Sequence, residues 1–290
     1  MIYLSSFKLS NKKLKNPNIY PYSVFKDKYI EPFSFAPITI FYGNNGCGKS
    51  TLIKSIMNLL PHSGKCFVKN ITKNSQANTT SSSEKQLHND TFLQLEKISV
   101  KNRASYISYI PQRIGVNMDM SVTDVCLMGY NSQLNFLASP NKIMRENVLK
   151  ALENVGLSGF ENRNFLSLSE GQKQLCILAR TLITNSKLLL LDEPDSALDF
   201  NNKYKLMQKI KSLINNDNAG LICIHDPALA LTFCDRLLLM KNGIIIADIV
   251  IKNTSIQELN NKMSQIFDNI YIDKCQDKNG NSHICVMCNT

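Results

Sequence analysis

The sequence predicts an α/β fold: a mixed sheet with helices on its faces and an inserted α-helical subdomain. Three observations predict it. The apolar run Ile38 to Tyr42 leads through a glycine-rich loop into a helical pattern starting at Lys49, the strand–loop–helix order of a parallel-sheet unit. Leu188 to Leu191 is apolar at every position, so it reads as a strand buried on both faces. Between these strand-rich segments, Ser121 to about Gly156 repeats with helical period. A chain of 290 residues with 43% hydrophobic content has room for one large domain or two small ones.

In chain order, Ile2 to Leu9 is a candidate first strand, followed by a basic loop from Lys12 to Pro17. Tyr20 and Tyr22, upstream of the glycine-rich loop, are candidates for stacking on an adenine ring or for packing on the sheet edge. The helix from Lys49 is expected to stop at Pro61, which cannot continue the hydrogen-bond ladder. Cys66 to Val68 reads as a short strand. Residues 72 to 91, which include His88, are rich in Ser, Thr and Asn without period and read as a disordered surface insertion. Order returns at Phe92 to Ile98, and Ala104 to Ile110 alternates as a strand that ends at Pro111. Ser121-Val122-Thr123-Asp124 has the form of a capping box, and Met144, Val148, Ala151, Leu152 and Val155 line one face of a further helix. After Ser169, the apolar positions Leu175, Leu178, Ala179, Leu182 and Ile183 fall at i, i+3, i+4, i+7 and i+8. Beyond the strand at Leu188 come a helix from Asn202 to Asn215, a strand from Leu221 to Ile224 and a helix from Ala228 to Phe233. Asn242-Gly243, between Arg236–Met240 and Ile244–Val250, is a strong hairpin signal. Ser255 opens a last helix to about Phe267, and the tail reads as two strands turning at Asn279-Gly280.

The loop Gly43 to Thr51 fits G-x-x-x-x-G-K-[ST], the P-loop. Gly43, Gly46 and Gly48 admit backbone conformations closed to other residues. Successive N–H groups of Gly43, Asn44, Asn45, Gly46, Cys47 and Gly48 can then face one phosphate chain. The helix start adds unpaired N–H groups and a positive dipole end. Lys49 is expected to reach the β- and γ-phosphates, Ser50 to ligate Mg2+ and Thr51 to help hold the α-phosphate. The second element is Leu188 to Glu193, a Walker B strand. Asp192 at its carboxyl end can hold Mg2+ through water, and Glu193 can polarise an attacking water. Ligand sites of open α/β sheets lie at the carboxyl ends of strands, where both acids fall.

The third element is Leu168-Ser169-Glu170-Gly171-Gln172, which resembles the signature sequence of ATP-binding cassette (ABC) ATPases. The remaining motifs stand in that family's order: Walker A, a Q-loop glutamine at Gln112, the signature, Walker B, a D-loop at Ser196-Ala197-Leu198-Asp199 and a switch histidine at His225. The resemblance covers roughly residues 38 to 260. It implies an ABC-type P-loop NTPase core over 1–260, with the helical subdomain at about 113–185 and a short C-terminal extension at 261–290. It implies a homodimer paired head to tail, with ATP and Mg2+ held between the P-loop of one copy and the signature of the other. The implied catalytic roles fall on Glu193 as general base, His225 holding the γ-phosphate and the water, Lys49 and Gln112. The implied nucleotide contacts are residues 43 to 51 and, across the interface, Ser169, Gly171 and Gln172, with Asp199 linking the two sites. The implied Mg2+ ligands are Ser50, Gln112 and Asp192.

Ser121 to Tyr130, soon after Tyr109-Ile110-Pro111-Gln112, is similar to the ATPases of importers that carry iron-siderophores, haem or vitamin B12. That likeness implies integral-membrane permease subunits, whose coupling helix Gln112 to about Pro140 would face, and indirectly a substrate-binding protein. It also implies a peripheral place on the cytoplasmic face of the cell membrane. The alternative is a soluble ABC-class ATPase without a permease, acting on nucleic acid or another macromolecule; Ile38 to Gly46 is similar to small soluble ABC-like ATPases of unassigned role. A single P-loop, no long heptad segment and no basic-aromatic motif weigh against it, so nucleic acid is not expected as a partner. A binding role without hydrolysis would require Glu193 or His225 to be missing, and both are present.

Composition agrees. No apolar run approaches the roughly 18 residues that span a bilayer, and the first residues lack a signal-peptide pattern, so a cytosolic chain is expected. The nine cysteines are scattered and odd in number, which reads as free thiols in a reducing compartment rather than a disulfide framework. Cys285-Val286-Met287-Cys288, with Cys275 and His283 near, admits a metal or redox site, but the same residues also read as a terminal strand. The net charge of +10 lies largely in dispersed lysines, as on a solvated surface.

Overall fold

The computed structural model describes residues 2–6, 33–34, 36–60, 62, 65–69, 92–135, 138–214, 218–267, 269–276, 278–280 and 282–288. The first half of the chain supplies β1 (Ile2–Ser6), β2 (Phe33–Ser34), β3 (Ile38–Tyr42), α1 (Lys49–Ile56), β4 (Lys65–Lys69), β5 (Phe92–Gln94), α2 (Val100–Arg103), β6 (Ile107–Ile110), α3 (Val122–Leu127) and α4 (Lys142–Val155). The second half supplies α5 (Glu170–Ile183), β7 (Leu188–Asp192), α6 (Phe200–Leu213), β8 (Ala219–Ile224), α7 (Pro227–Phe233), β9 (Arg236–Lys241), β10 (Ile244–Val250), α8 (Ile256–Met263), β11 (Ile270–Gln276) and β12 (Ser282–Cys288).

Six strands form the sheet that carries the site, in the order β10-β9-β3-β8-β7-β6. All neighbours run parallel except β10, which folds back antiparallel on β9. A second sheet, β2-β1-β4-β5, is antiparallel, and β11 and β12 form a hairpin. The unbroken apolar strands have a direct cause. Side chains of a strand alternate between faces, and both faces of this sheet are covered. Ile40, Tyr42, Leu189, Leu191, Ile222 and Ile224 face a core shared with α3 to α8. Phe41, Leu188, Leu190, Leu221 and Cys223 face a second core made with Leu52, Ile53 and Ile56 of α1 and with Cys66 and Leu95. Burying one such leucine contributes roughly 2 kcal/mol. Among the helices, α3, α4 and α5 pack on one another, with Val122, Val125, Val148, Leu152 and Leu178 fully buried between them.

Several boundaries differ from the sequence reading. α1 ends at Ile56, well before Pro61, because Asn58 enters the left-handed region at φ 56° and turns the chain early. Pro61 itself lies outside the described residues, as do 7–32 with Tyr20 and Tyr22, and the segment 72–91 with His88. The stretch expected as one strand from Ala104 begins as a turn over 104–106, directly after the short helix α2, with the strand limited to Ile107–Ile110. α8 stops at Met263. The hairpin predicted at Asn242-Gly243 is present, with both residues at positive φ (50° and 78°) as a tight two-residue turn requires.

The cysteine reading is corrected at one place. Cys275 and Cys285 form a disulfide across the β11–β12 hairpin, with Cα atoms 6.1 Å apart. The hairpin register sets Cys275 opposite His283, two residues from Cys285 and therefore on the same face. That register is a property of the folded pair and is not written in the spacing of the cysteines. Among the described residues no group of three His, Cys, Asp or Glu side chains converges as a metal site would need.

Candidate nucleotide site

The site gathers where β3, β7 and β8 end. β3 delivers Gly43, and the turn that follows exposes Asn44, Asn45 and Gly46 before Cys47, Gly48 and Lys49 go under the surface. Gly46 and Gly48 take φ of 76° and 108°, as expected of this loop. Gly43 is a glycine for a different reason: a Cβ there would stand 2.2 Å from the Met240 carbonyl oxygen on β9. The turn of the β9–β10 hairpin also holds the loop, the Gly243 N–H donating to the Cys47 carbonyl at 3.0 Å. α1 begins at Lys49 behind Gly48, with no side chain capping it. Its first-turn N–H groups, on Lys49, Ser50 and the buried Thr51, therefore remain available to an anion.

The side chains form one connected network. The buried Lys49 ammonium donates to the carbonyl oxygens of Gly43 (2.6 Å) and Asn44 (3.2 Å) and to His225 Nδ1 (3.3 Å). An ammonium group can only donate, so Nδ1 accepts and the imidazole proton sits on Nε2. Nε2 meets Glu193 Oε1 in a short contact, and Gln112 Nε2 donates to the other oxygen of Glu193 at 2.6 Å. Beside them the Ser50 hydroxyl donates to Asp192 Oδ1 at 2.7 Å, and the Tyr109 hydroxyl approaches Asp192 Oδ2 at 3.4 Å. Asp226, next to His225, accepts from the Ala228 and Leu229 N–H groups and caps α7, with Pro227 as its first residue. That cap fixes where the chain leaves β8 and so where His225 stands.

Burial dominates the electrostatics. It raises the pKa of the Asp192 carboxyl above the usual aspartate value, an effect only partly offset by the Ser50 hydrogen bond and the Lys54 charge. The Tyr109 hydroxyl is pushed up by burial and by the Asp192 charge. The Cys47 thiol is pushed up by burial, opposed by Lys49. A hard divalent cation such as Mg2+ prefers oxygen ligands and keeps several waters. Ser50 and Asp192, already within hydrogen-bond distance, offer a hydroxyl and a carboxylate of that chemistry, and Gln112 could add its amide oxygen.

Ser169, Gly171 and Gln172 lie together elsewhere, at the start of α5. Ser169 is the N-cap: its Oγ accepts from the Gln172 N–H at 3.3 Å, while Gln172 Oε1 accepts from the Ser169 N–H at 3.0 Å. Glu170 pairs with Lys173 at 2.8 Å. Asp199 caps α6, its two oxygens accepting from the Asn202 N–H and the Asn202 side-chain amide, each at 2.8 Å. Gly171 and the D-loop are neighbours, since a Cβ on Gly171 would touch Leu198 at 3.5 Å. Among the described residues, no hydrogen bond joins this group to the P-loop network.

The structure thus brings Lys49, His225, Glu193 and Gln112 into one hydrogen-bonded chain beside the Ser50–Asp192 pair, while Ser169, Gln172 and Asp199 make only local bonds at the starts of α5 and α6, with Gly171 next to the D-loop. Sequence reasoning missed Tyr109 as a neighbour of Asp192. The available signal was its place on a strand that would pair beside the Walker B strand; in the structure it lies opposite Leu190.

Fold and site define a P-loop nucleotide-binding protein of the mixed α/β kind. A family model described as ABC transporter matches residues 34–196. The manganese transport system ATP-binding protein of Synechocystis is 32% identical over 219 residues, covering 74% of each chain. The Yersinia pestis protein named chelated iron transport system membrane protein YfeB is 32% identical over 224 residues, 76% of this chain and 67% of its own length. An ABC transporter of metal-chelate type, solved in an inward-facing conformation, superposes with a TM-score of 0.70 at 21% identity, over 99% of this chain and 97% of that one. The chain belongs to the ABC transporter family, and it is an ATP-binding, ATP-hydrolysing member.

Proposed function

We propose that this chain is the ATPase subunit of an importer for a metal chelate of the iron-siderophore, haem or cobalamin type, working as a head-to-tail homodimer against an integral-membrane permease. The carrying observation is the Lys49–His225–Glu193–Gln112 network beside the Ser50–Asp192 pair. Lys49 and the loop from Gly43 through Asn44, Asn45, Gly46, Cys47 and Gly48 to Ser50 and Thr51 bind the phosphates. Mg2+, when bound, screens the phosphate charge; Ser50, Asp192 and Gln112 would hold it. Glu193 accepts the proton of the attacking water, and His225, fixed as the Nε2–H tautomer, orients Glu193 and the terminal phosphate. Ser169, Gly171, Gln172 and Asp199 serve the nucleotide of the second copy. Their separation from this chain's own P-loop network supports that reading, as does the N-terminus of α5, a favourable place for an anion.

The permease side rests on a groove. A cavity of about 660 Å³ runs between α2 with β6 and the ends of α3 and α5, lined by Val100, Tyr109, Met128, Gly129, Arg180 and Thr184. Val100 and Met128 are exposed there (79% and 38%), apolar surface suited to a helix of a membrane partner. No helix of the described residues is long and apolar enough to cross a membrane, so anchorage at the cytoplasmic face would come from that partner. Relatives named for manganese and for chelated iron support a metal cargo.

The test is a pair of variants and a partner. Glu193→Gln is expected to keep ATP binding, lose hydrolysis and accumulate as a dimer in sedimentation; hydrolysis at the parent rate would refute its role as base. Lys49→Ala is expected to abolish nucleotide binding. Hydrolysis should rise on reconstitution with the cognate permease in lipid nanodiscs and should not respond to DNA or RNA.

A further inference from the structure

Resting on the head-to-tail reading above, the geometry points to Phe200 as the apolar anchor that a second copy of this chain covers when ATP brings the two together. Phe200 is the first residue of α6 and is 69% exposed. It is nevertheless held in place. Its ring lies 4.9 Å from that of Tyr204, and Tyr204 meets the ring of Phe233 edge-on at 5.8 Å. Phe233 is buried near the end of α7, so three rings run from the surface into the core. They end on the helix that starts two residues after His225.

The surroundings of Phe200 fix the occupant. Asp199 precedes it, and the signature lies alongside, with the Gly171 Cβ position 3.5 Å from Leu198 and 3.9 Å from Asn202. Leu166, 45% exposed, stands three residues before Ser169. These residues share an edge with the signature, which on the head-to-tail reading serves the nucleotide of a second copy. The rest of that edge is polar: Ser169, Glu170, Asp199 and Asn202 are all exposed. A polar surface gains little net energy on association, because its groups must give up water. A preordered aromatic ring supplies apolar burial at small entropic cost, as interface hot spots do.

The chain contains no tryptophan, so Phe200→Trp provides a single fluorescent reporter at the proposed contact. The measurement uses the full chain in the Glu193→Gln background with Mg2+ and ATP or ADP, read by sedimentation velocity and tryptophan emission. The Trp emission should shift to the blue with ATP and stay solvent-like with ADP. Phe200→Ala should weaken the ATP dimer by at least about tenfold, and Phe200→Leu should recover part of the loss. The monomer's ATP affinity and its nucleotide-free Tm should stay unchanged in both. If the Phe200→Ala dimer is as tight as its parent, or Trp emission stays solvent-like in the dimer, the proposal is overturned while the head-to-tail reading stands. If Glu193→Gln itself fails to dimerise with ATP, that reading falls and the proposal falls with it.

Discussion

Glu193 stands at φ 49°, in the left-handed region that a residue with a side chain enters at a cost of about 1 kcal/mol. Its N–H still pairs with the Cys223 carbonyl at 3.1 Å, so the chain has not left the sheet; it has turned at its last rung. That turn separates two adjacent acids. Asp192 keeps the direction of β7 and meets Ser50, while Glu193 swings between Gln112 and His225. The residue types were legible because each motif is local. The bonds between motifs were not: Lys49 and His225 are 176 positions apart, and only the order of strands in the sheet brings them together. A prediction follows for Asp192. A carboxyl whose folded pKa is raised binds its proton more tightly folded than unfolded, so the fold loses stability as pH rises through that range. Asp192→Asn should therefore raise Tm by roughly 2 °C near neutral pH while removing Mg2+-dependent hydrolysis. Calorimetry should show the gain shrinking toward acid pH, where the natural carboxyl takes up its proton; a gain that grows instead would contradict the sign.

At the scale of elements, joints rather than elements carry the unexpected content. The strand–loop–helix unit was plain in the sequence, since periodicity and glycines mark it. The reason for Gly43 was not, because its close neighbour, the Met240 carbonyl, belongs to a strand nearly two hundred residues away. Gly43→Ala should destabilise by about 2 kcal/mol or more, since a backbone oxygen at 2.2 Å cannot swing aside. Gly46→Ala, with open space around it and φ 76°, should cost only about 1 kcal/mol. Urea unfolding of the two variants distinguishes clash from conformational strain. A second joint ties the chain after α1 to the chain after β5, where His62 Nε2 meets Glu96 Oε1 at 3.3 Å. Burial opposes charge on both, yet the mutual hydrogen bond and backbone contacts win, raising the His62 pKa above 6.5 and lowering that of Glu96 below 4.5. The histidine's contribution is fully present below its ordinary value of 6.5 and is lost as pH rises through its raised folded value. The glutamate's is present above 4.5 and is lost as pH falls through its lowered value. His62→Asn should therefore cost most between those two ordinary values and progressively less above them, measured as Tm against pH.

For the molecule as a whole, double-sided burial of the central sheet explains why its architecture was readable. Solid apolar strands alternate with amphipathic helices, and little else satisfies both patterns. What lay beyond reach was register in the tail, where Cys275 and Cys285 meet although nothing in their spacing requires it. Seven of the nine cysteines remain thiols, six of them buried and Cys288 exposed. Protein purified without reductant and then denatured should titrate seven thiols with a disulfide-exchange reagent, and nine after reduction. Nine at the outset would show the hairpin to be open.

The turn at Asn242-Gly243 looks like an ideal place to splice in a tag, a dye or a sensor module, being a short polar tip between two strands. Its N–H grip on Cys47 makes it a poor one. An added residue there would tug on the phosphate loop, so engineers would mistake a broken handle for a broken motor. The same linkage makes the turn a dial: graded changes in its length should tune nucleotide affinity from outside the pocket.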